Sequence, residues 1–113
     1  MYLIKEMPDY EKPRERFIRD GVESLSNVEL ISIILRTGTK NKSVKELSID
    51  VLKEVSIHDL ANINYKALSN IKGMGDVKAI TLLAAIELGK RVLSKKNVNK
   101  VIAQPTPTDK SFK

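Results

Sequence analysis

The sequence contains no cysteine, no tryptophan and a single histidine, His58. Without cysteine there is no disulfide framework, and the usual soft ligands for zinc or iron are missing. Aromatic residues make up only 4% of the chain, so its core must be built from aliphatic side chains. We interpret His58 as a surface or helix-capping residue and expect no transition-metal site in this chain.

Long hydrophobic runs are also missing. The longest apolar stretch, residues 79–88, contains Glu87 and is about half the roughly 20 residues that a membrane-spanning helix needs. Residues 1–16 carry acidic residues and prolines where a secretion signal would need a continuous apolar segment. The sequence therefore predicts neither a membrane span nor a signal peptide, and it fits a reducing cytoplasm.

Positive charge is abundant but unevenly placed, within a net charge of +6. Residues 1–63 hold 10 Lys and Arg against 11 Asp and Glu, whereas residues 64–113 hold 10 against 3. The excess therefore lies in the second half of the chain. Such a basic half favours a polyanionic partner, with an ordinary soluble surface as the alternative.

Helix start and stop signals dominate the first half of the chain. A proline in the first turn and Gly21 after the last predict a short helix over residues 13–20. Ser-x-x-Glu pairs that begin at Ser26 and Ser43 predict capping boxes at the starts of two further helices. The first of these two helices is expected to end at Gly38.

The second half of the chain continues this pattern. Two short apolar clusters within residues 56–71 predict two short helices, and residues 76–94 predict a long helix that is apolar nearly all round. The small alanines of the long helix permit close approach of its neighbours. The sequence therefore predicts an all-α fold, a bundle of five or six helices around a central carboxy-terminal helix.

Domain boundaries follow from the same pattern. Period-two alternation is confined to residues 98–103, so no sheet of any size is expected. Residues 1–12 are predicted to be an amino-terminal extension and residues 13–96 the helical domain. Residues 97–113 contain prolines and threonines and are predicted to be a linker toward a further domain.

The stretch IKGMGDVKA, residues 71–79, places two glycines one residue apart between two predicted helices. Gly73 and Gly75 would let the backbone bend sharply, and the first turn of any helix has unpaired N–H groups at the positive end of its macrodipole. These features predict an anion site suited to a phosphate, with Lys72 and Lys78 adding attraction but no base recognition. The alternative is purely architectural: two glycine caps beside a solvated lysine face.

A second basic stretch, LRTGTKNKS at residues 35–43, is interpreted as a degenerate second hairpin. Its candidate phosphate ligands are Arg36, Lys40, Lys42 and the hydroxyl of Ser43. The alternative is a loop with a glycine cap and solvated lysines. The run PRER at residues 13–16 is interpreted as a helix surface that forms ion pairs with acidic neighbours.

The segment LSNIKGMGDVKAITL resembles a helix-hairpin-helix DNA-binding motif. The motif's pattern of apolar residues, glycines and a following alanine is matched by Ile71, Gly73, Met74, Gly75 and Ala79. More widely, residues 4–102 resemble the amino-terminal region of the bacterial RadC family. The specific matches are PRER at 13–16, LSNVEL at 25–30, LRTGT at 35–39 and the hairpin.

The resemblance implies a role for each hairpin position. Backbone N–H groups of Gly73, Gly75, Val77 and Lys78 would donate to a DNA phosphate, and Asp76 would repel it because it stands where the pattern more often has proline or a small polar residue. The carbonyls of Ser69, Ile71 and Met74 would hold a monovalent cation. The residues predicted to bind DNA are Lys72, Gly73, Met74, Gly75, Val77, Lys78, Arg36, Lys40, Lys42 and Ser43.

The resemblance also implies a function. RadC family chains continue into a JAB/MPN-like, zinc-metallopeptidase-type domain with a His-x-His and Asp metal site, which nothing in this sequence matches. We therefore expect a non-enzymatic, sequence-nonspecific DNA-binding module, associated with DNA repair, that positions such a domain, with zinc only in that domain. The alternative is a helical module for protein docking or dimerisation without DNA binding.

Overall fold

The computed structural model describes residues 13–94. Over this part of the chain it contains helices and turns but no strand, which confirms the predicted all-α class. The helices are α1 (residues 13–20), α2 (Asn27–Leu35), α3 (Val44–Glu54), α4 (Tyr65–Ser69) and α5 (Gly75–Leu93), with 3-10 turns at Val22–Ser24 and Asp59–Ala61. The predicted extension at 1–12, the alternating segment at 98–103 and the linker at 97–113 lie outside the described residues.

Both predicted capping boxes form. At α2 the Ser26 hydroxyl accepts from the Glu29 N–H at 3.1 Å, and the Glu29 carboxylate accepts from the Ser26 N–H at 2.8 Å. At α3 the same reciprocal bonds join Ser43 and Glu46 at 3.0 Å each. Each box satisfies N–H groups that have no partner inside the helix, so the predicted starts of both helices are confirmed.

The predicted end of α2 at Gly38 is wrong, because the helix stops at Leu35. Arg36 takes a φ of 69° and a ψ of −45°, and the Thr37 N–H donates to the Leu35 carbonyl at 2.8 Å. This is a γ-turn with positive φ at its centre, the rarer and more strained of the two γ-turn forms. Gly38 is required for a different reason, since a side chain there would collide with the Lys42 carbonyl oxygen.

The core is aliphatic, as the scarcity of aromatic residues predicts. Helix α5 packs against α2, α4 and the second 3-10 turn, and Ala79 and Leu82 are its buried residues. Where α2 meets α3, the buried hydroxyls of Ser32 and Ser48 lie 3.1 Å apart in a hydrogen bond. The buried apolar residues of this core are Ile31, Leu35, Val44, Leu47, Val51, Leu60, Leu68, Met74, Ala79 and Leu82.

Candidate nucleic-acid interface

The glycine hairpin joins α4, which ends at Ser69, to α5, which begins at Gly75. The Met74 N–H donates to the Ile71 carbonyl at 2.9 Å and closes the turn. Gly73 and Gly75 have φ values of 94° and 61°, a backbone region that side chains disfavour. The sharp bend predicted from the two glycines is therefore present.

The two glycines serve different purposes. A methyl group on Gly73 would lie 2.9 Å from Leu47 Cδ1 and 3.4 Å from Thr39 Cγ2, so glycine is needed there for close packing. Between the glycines the side chain of Met74 is only 2% exposed and anchors the turn in the core. Apart from its chain neighbours and its own helix, no described residue has an atom within 4 Å of a methyl group added to Gly75, and Gly75 is exposed, so the backbone there is open to an approaching ligand.

The amino terminus of α5 has no side-chain cap, whereas Ser26, Ser43 and Asn64 cap α2, α3 and α4. The first turn does contain a carboxylate, Asp76, but it forms a hydrogen bond with the Tyr65 hydroxyl of α4. That bond raises the pKa of Tyr65 above its ordinary value of 10.0. The first-turn amides of α5 are thus left without a side-chain acceptor within the described part of the chain.

The second basic stretch lies beside the hairpin. The Lys78 Nζ atom of α5 is 3.3 Å from the Thr37 hydroxyl, and the Thr39 methyl group packs close to Gly73, where it would lie 3.4 Å from an added methyl group. The fold therefore brings together two stretches that are distant in the sequence, since Thr37 and Lys78 are 41 residues apart. Lys78 is the residue that connects them.

The loop over residues 36–43 is held by its own hydrogen bonds. The Thr39 N–H donates to the Lys42 carbonyl at 2.8 Å, and the Thr39 hydroxyl accepts from the N–H groups of Asn41 and Lys42 at 3.2 and 3.1 Å. Arg36 and Lys40 are exposed on this loop. The backbone of the loop is therefore closed, and its exposed cations belong to the same loop as Thr37, which contacts Lys78.

Two other predicted ligands of this loop already have partners. Lys42 forms an ion pair with Asp50, and the hydrogen bond from Lys42 lowers the pKa of that carboxyl. The Ser43 hydroxyl accepts from the Glu46 N–H as a helix cap, which leaves only its hydrogen to donate to a phosphate. Val77, whose N–H group is also a predicted phosphate donor, is 77% exposed at the hairpin.

The carbonyls predicted to hold a monovalent cation, Ser69, Ile71 and Met74, all lie in or next to the hairpin. The Ile71 carbonyl already accepts the Met74 N–H. Within residues 13–94, no group of three or more His, Cys, Asp or Glu side chains is arranged to hold a metal ion.

None of the helices described for residues 13–94 has the length and apolar character of a membrane span.

The ion-pair interpretation of PRER is confirmed for Arg16. Its guanidinium lies 2.6 Å from the Glu29 carboxylate and also donates to the Ser24 carbonyl at 2.6 Å. The pKa of Glu29 is lowered, chiefly by the N–H of Ser26 and further by Arg16. His58 precedes the second 3-10 turn, where its exposed side chain makes no capping bond.

Sequence reasoning missed a polar cleft beside the hairpin. The cleft has a volume of about 470 Å³ and carries charges of both signs. Its lining residues are Lys42, Asp50, Lys53, Glu54, Ala67, Asn70, Ile71 and Lys72. Tyr65 was also missed, because nothing in the local pattern of α4 indicates that its hydroxyl reaches Asp76 on the next helix.

A sequence model of the UPF0758 N-terminal family matches residues 4–80. The chain belongs to this family. A UPF0758 protein of Bacillus pumilus is 44% identical over 108 residues, which cover 95% of this chain and 48% of that protein. One from Clostridium botulinum is 43% identical over 111 residues, covering 97% and 48% respectively.

A third UPF0758 protein, from Bacillus licheniformis, is 48% identical over 92 residues, which cover 80% of this chain and 41% of that protein. The chain therefore spans about half the length of the UPF0758 relatives that it matches. No solved structure matches it.

Proposed function

We propose that this UPF0758 N-terminal chain is a sequence-nonspecific DNA-binding module of a RadC-like protein associated with DNA repair. The observation that carries the proposal is the start of α5, where Gly75 is open, no side chain among the described residues caps the helix and two lysines flank the turn. Uncapped amides at the positive end of a helix dipole are suited to one phosphate oxygen.

The surroundings of the hairpin support a backbone contact. Lys72 is exposed, and Lys78 reaches the loop on which Arg36 and Lys40 are exposed. Lysines and backbone amides hold phosphates without reading bases. Asp76 opposes the interaction because its negative charge lies in the same helical turn, so we expect modest affinity.

The module is proposed to act as part of a longer protein. The relatives are about twice as long as this chain, and we propose that the further part carries the JAB/MPN-like, zinc-dependent hydrolase domain of RadC family chains. In that arrangement the helical module would position the hydrolase domain on DNA. It would take no part in the chemistry itself.

A second candidate function is protein docking or dimerisation without DNA binding. The observation that favours it is the exposed apolar surface of α5, where Val77, Ile80, Leu88 and Val92 are each more than half exposed. The two candidates differ in a simple observation, because a pure docking module would not retard DNA even at low salt.

DNA titration at several salt concentrations tests the proposal. If the hairpin and its cations neutralise about 3 or 4 phosphates, the logarithm of the binding constant should fall against the logarithm of salt with a slope near −3. Affinity should be alike for unrelated sequences of equal length. A slope near zero, or a strong preference for one sequence, would refute a backbone contact.

A further inference from the structure

Helix α5 has a second apolar face that no described residue covers. Residues spaced by three or four positions along this face are all exposed, with Val77 at 77%, Ile80 at 56%, Leu88 at 64% and Val92 at 72%, and Ala84 at its middle. We call these five residues the outer stripe. It runs about 22 Å along the helix, on the side opposite the buried Ala79 and Leu82.

The outer stripe is continuous enough to mark an interaction surface. Thr81 lies within the stripe, between Leu88 and Val92 around the helix, but the Thr81 hydroxyl donates to the Val77 carbonyl at 2.8 Å and is therefore satisfied within the helix. Single exposed apolar residues need no explanation, whereas a continuous apolar face on a water-exposed helix does.

The pattern of the outer stripe is close to symmetrical about Ala84. Ile80 and Leu88 lie four residues to either side of it, and Val77 and Val92 lie seven and eight residues away. A second α5 in antiparallel orientation would therefore place Ile80 of each copy against Leu88 of the other. The small side chain of Ala84 at the crossing point lets the helix axes approach closely.

Charges beside the stripe favour one orientation. Asp76 lies eight residues before Ala84 and Arg91 seven residues after it. Within its own helix Arg91 pairs with Glu87 at 3.0 Å, and both side chains are more than half exposed, so the guanidinium remains open to a carboxylate of a second copy. In an antiparallel pair, Arg91 of one copy lies at the level of Asp76 of the other, at both ends of the contact. A parallel pair would place like charges at the same level, which is unfavourable.

We propose that a second copy of this chain covers the outer stripe in an antiparallel α5–α5 dimer, with an Arg91–Asp76 ion pair at each end. This is an isologous contact of the kind that closes a two-fold dimer. A single pair of helices buries less than the roughly 1,200 to 2,000 Å² of a stable interface, so the dimer should be weak, with a dissociation constant of order 10 to 100 μM.

The dimer would also change the hairpin. Arg91 of one copy would offset the negative charge of Asp76 beside the hairpin of the other, and so favour phosphate there. This consequence alone rests on the proposed DNA binding. The dimer itself is tested without DNA, so the two proposals can fail separately.

Sedimentation velocity of the 113-residue chain across about 5 μM to 500 μM tests the dimer, a range that brackets its expected dissociation constant. Leu88→Glu should weaken association at least tenfold. Leu93→Glu is the matched control, because Leu93 is 85% exposed on the same helix but lies about 140° around it from Leu88. The proposal is overturned if the chain is monomeric at every concentration in this range, or if Leu88→Glu leaves the dissociation constant of the dimer unchanged.

A charge swap tests the orientation. Arg91→Glu should weaken the dimer several-fold, and adding Asp76→Arg should restore it. Within one chain the two positions are about 22 Å apart along α5, so only contact between two copies can produce the restoration. If the double variant is as weak as Arg91→Glu alone, the antiparallel pairing is wrong.

Discussion

Asp76 is the carboxylate in the first turn of α5, and the Tyr65 hydroxyl holds it by a hydrogen bond from α4. Asp76→Asn removes its negative charge from beside the hairpin and should strengthen DNA binding about two- to five-fold at low salt. Fluorescence anisotropy titration measures this effect. Asp59→Asn, which removes an exposed carboxylate elsewhere, is the control and should have a smaller effect.

The same Asp76→Asn variant has a second readout. Without the carboxylate, the pKa of Tyr65 should fall toward its ordinary value of 10.0, because ionised Tyr65 no longer faces a negative partner. A pH titration followed by the NMR signals of the Tyr65 ring measures the pKa in both proteins. An unchanged pKa would show that the hydrogen bond between the two side chains is not formed in solution.

Glu29 contributes to stability in a pH-dependent way. Its pKa in the folded protein lies below the ordinary value of 4.5, so its contribution is complete above pH 4.5 and is lost as the pH falls through the folded pKa. Glu29→Gln should therefore lower the free energy of unfolding by about 1 kcal/mol at neutral pH. Urea denaturation at pH 7 and pH 3 measures both values.

At pH 3 the difference between the parent chain and Glu29→Gln should shrink. Glu54→Gln, at an exposed position at the end of α3, should change stability little at either pH. A Glu29→Gln effect as large at pH 3 as at pH 7 would mean that the loss comes from packing and not from charge.

At this residue scale the sequence predicts contacts that are local. The Ser26–Glu29 and Ser43–Glu46 pairs are foreseeable because a capping box has a fixed spacing of three residues. The Lys78–Thr37, Lys42–Asp50 and Tyr65–Asp76 contacts are not, because they depend on how helices and loops pack. The predicted phosphate role of Lys42 shows the consequence, since packing gives that lysine an acidic partner.

The hairpin is the element on which both architecture and proposed binding depend. Gly73→Ala should lower the free energy of unfolding by about 2 to 3 kcal/mol, because positive φ and a close contact with Leu47 both oppose a side chain. Gly75→Ala should cost only about 1 kcal/mol, since it has positive φ but open space around it. Urea denaturation measures both.

Equal losses for the two alanine variants would show that Gly73 does not pack against α3 as closely as the structure has it. A Gly75→Ala variant that loses DNA affinity while remaining folded would add support to a ligand at the open side of the hairpin. The parent chain is the reference in each titration.

The helices themselves were largely predictable, and their ends less so. The cap and apolar spacing of α2 predict the helix but not its end, because the γ-turn that ends it is centred on Arg36 and contains no glycine. α5 was recognised as apolar nearly all round. Which face of α5 is buried depends on how many other helices pack against it, and the periodicity of its apolar residues does not predict that number.

At the scale of the whole molecule, composition predicted the class of fold and the aliphatic core. The uneven charge predicted a polyanionic partner but not its contact surface, because basic residues distant in sequence meet only in the folded chain. The hairpin and the loop at residues 36–43 are an example, because these two basic segments meet only in the folded chain, through Lys78. The cooperation with a hydrolase domain that we propose depends on the further part of the relatives, which are about twice as long as this chain.

The most direct test of the central claim compares two double variants that each remove two positive charges. Lys72→Ala/Lys78→Ala changes the hairpin, whereas Lys66→Ala/Lys90→Ala changes exposed lysines on α4 and at the far end of α5. The Lys66/Lys90 variant should leave the free energy of unfolding within about 0.5 kcal/mol of the parent value, since exposed lysines contribute little to stability. The Lys72/Lys78 variant should lower it by no more than about 1 kcal/mol, because it also loses the hydrogen bond between half-buried Lys78 and Thr37.

DNA affinity of the two double variants at low salt is the deciding measurement. If the hairpin binds a phosphate, the Lys72/Lys78 variant should lose about 1 to 2 kcal/mol of binding free energy and the salt slope should become shallower by about 2. The Lys66/Lys90 variant should lose clearly less. Equal losses in the two variants would contradict the account, because binding would then follow net charge and not the hairpin.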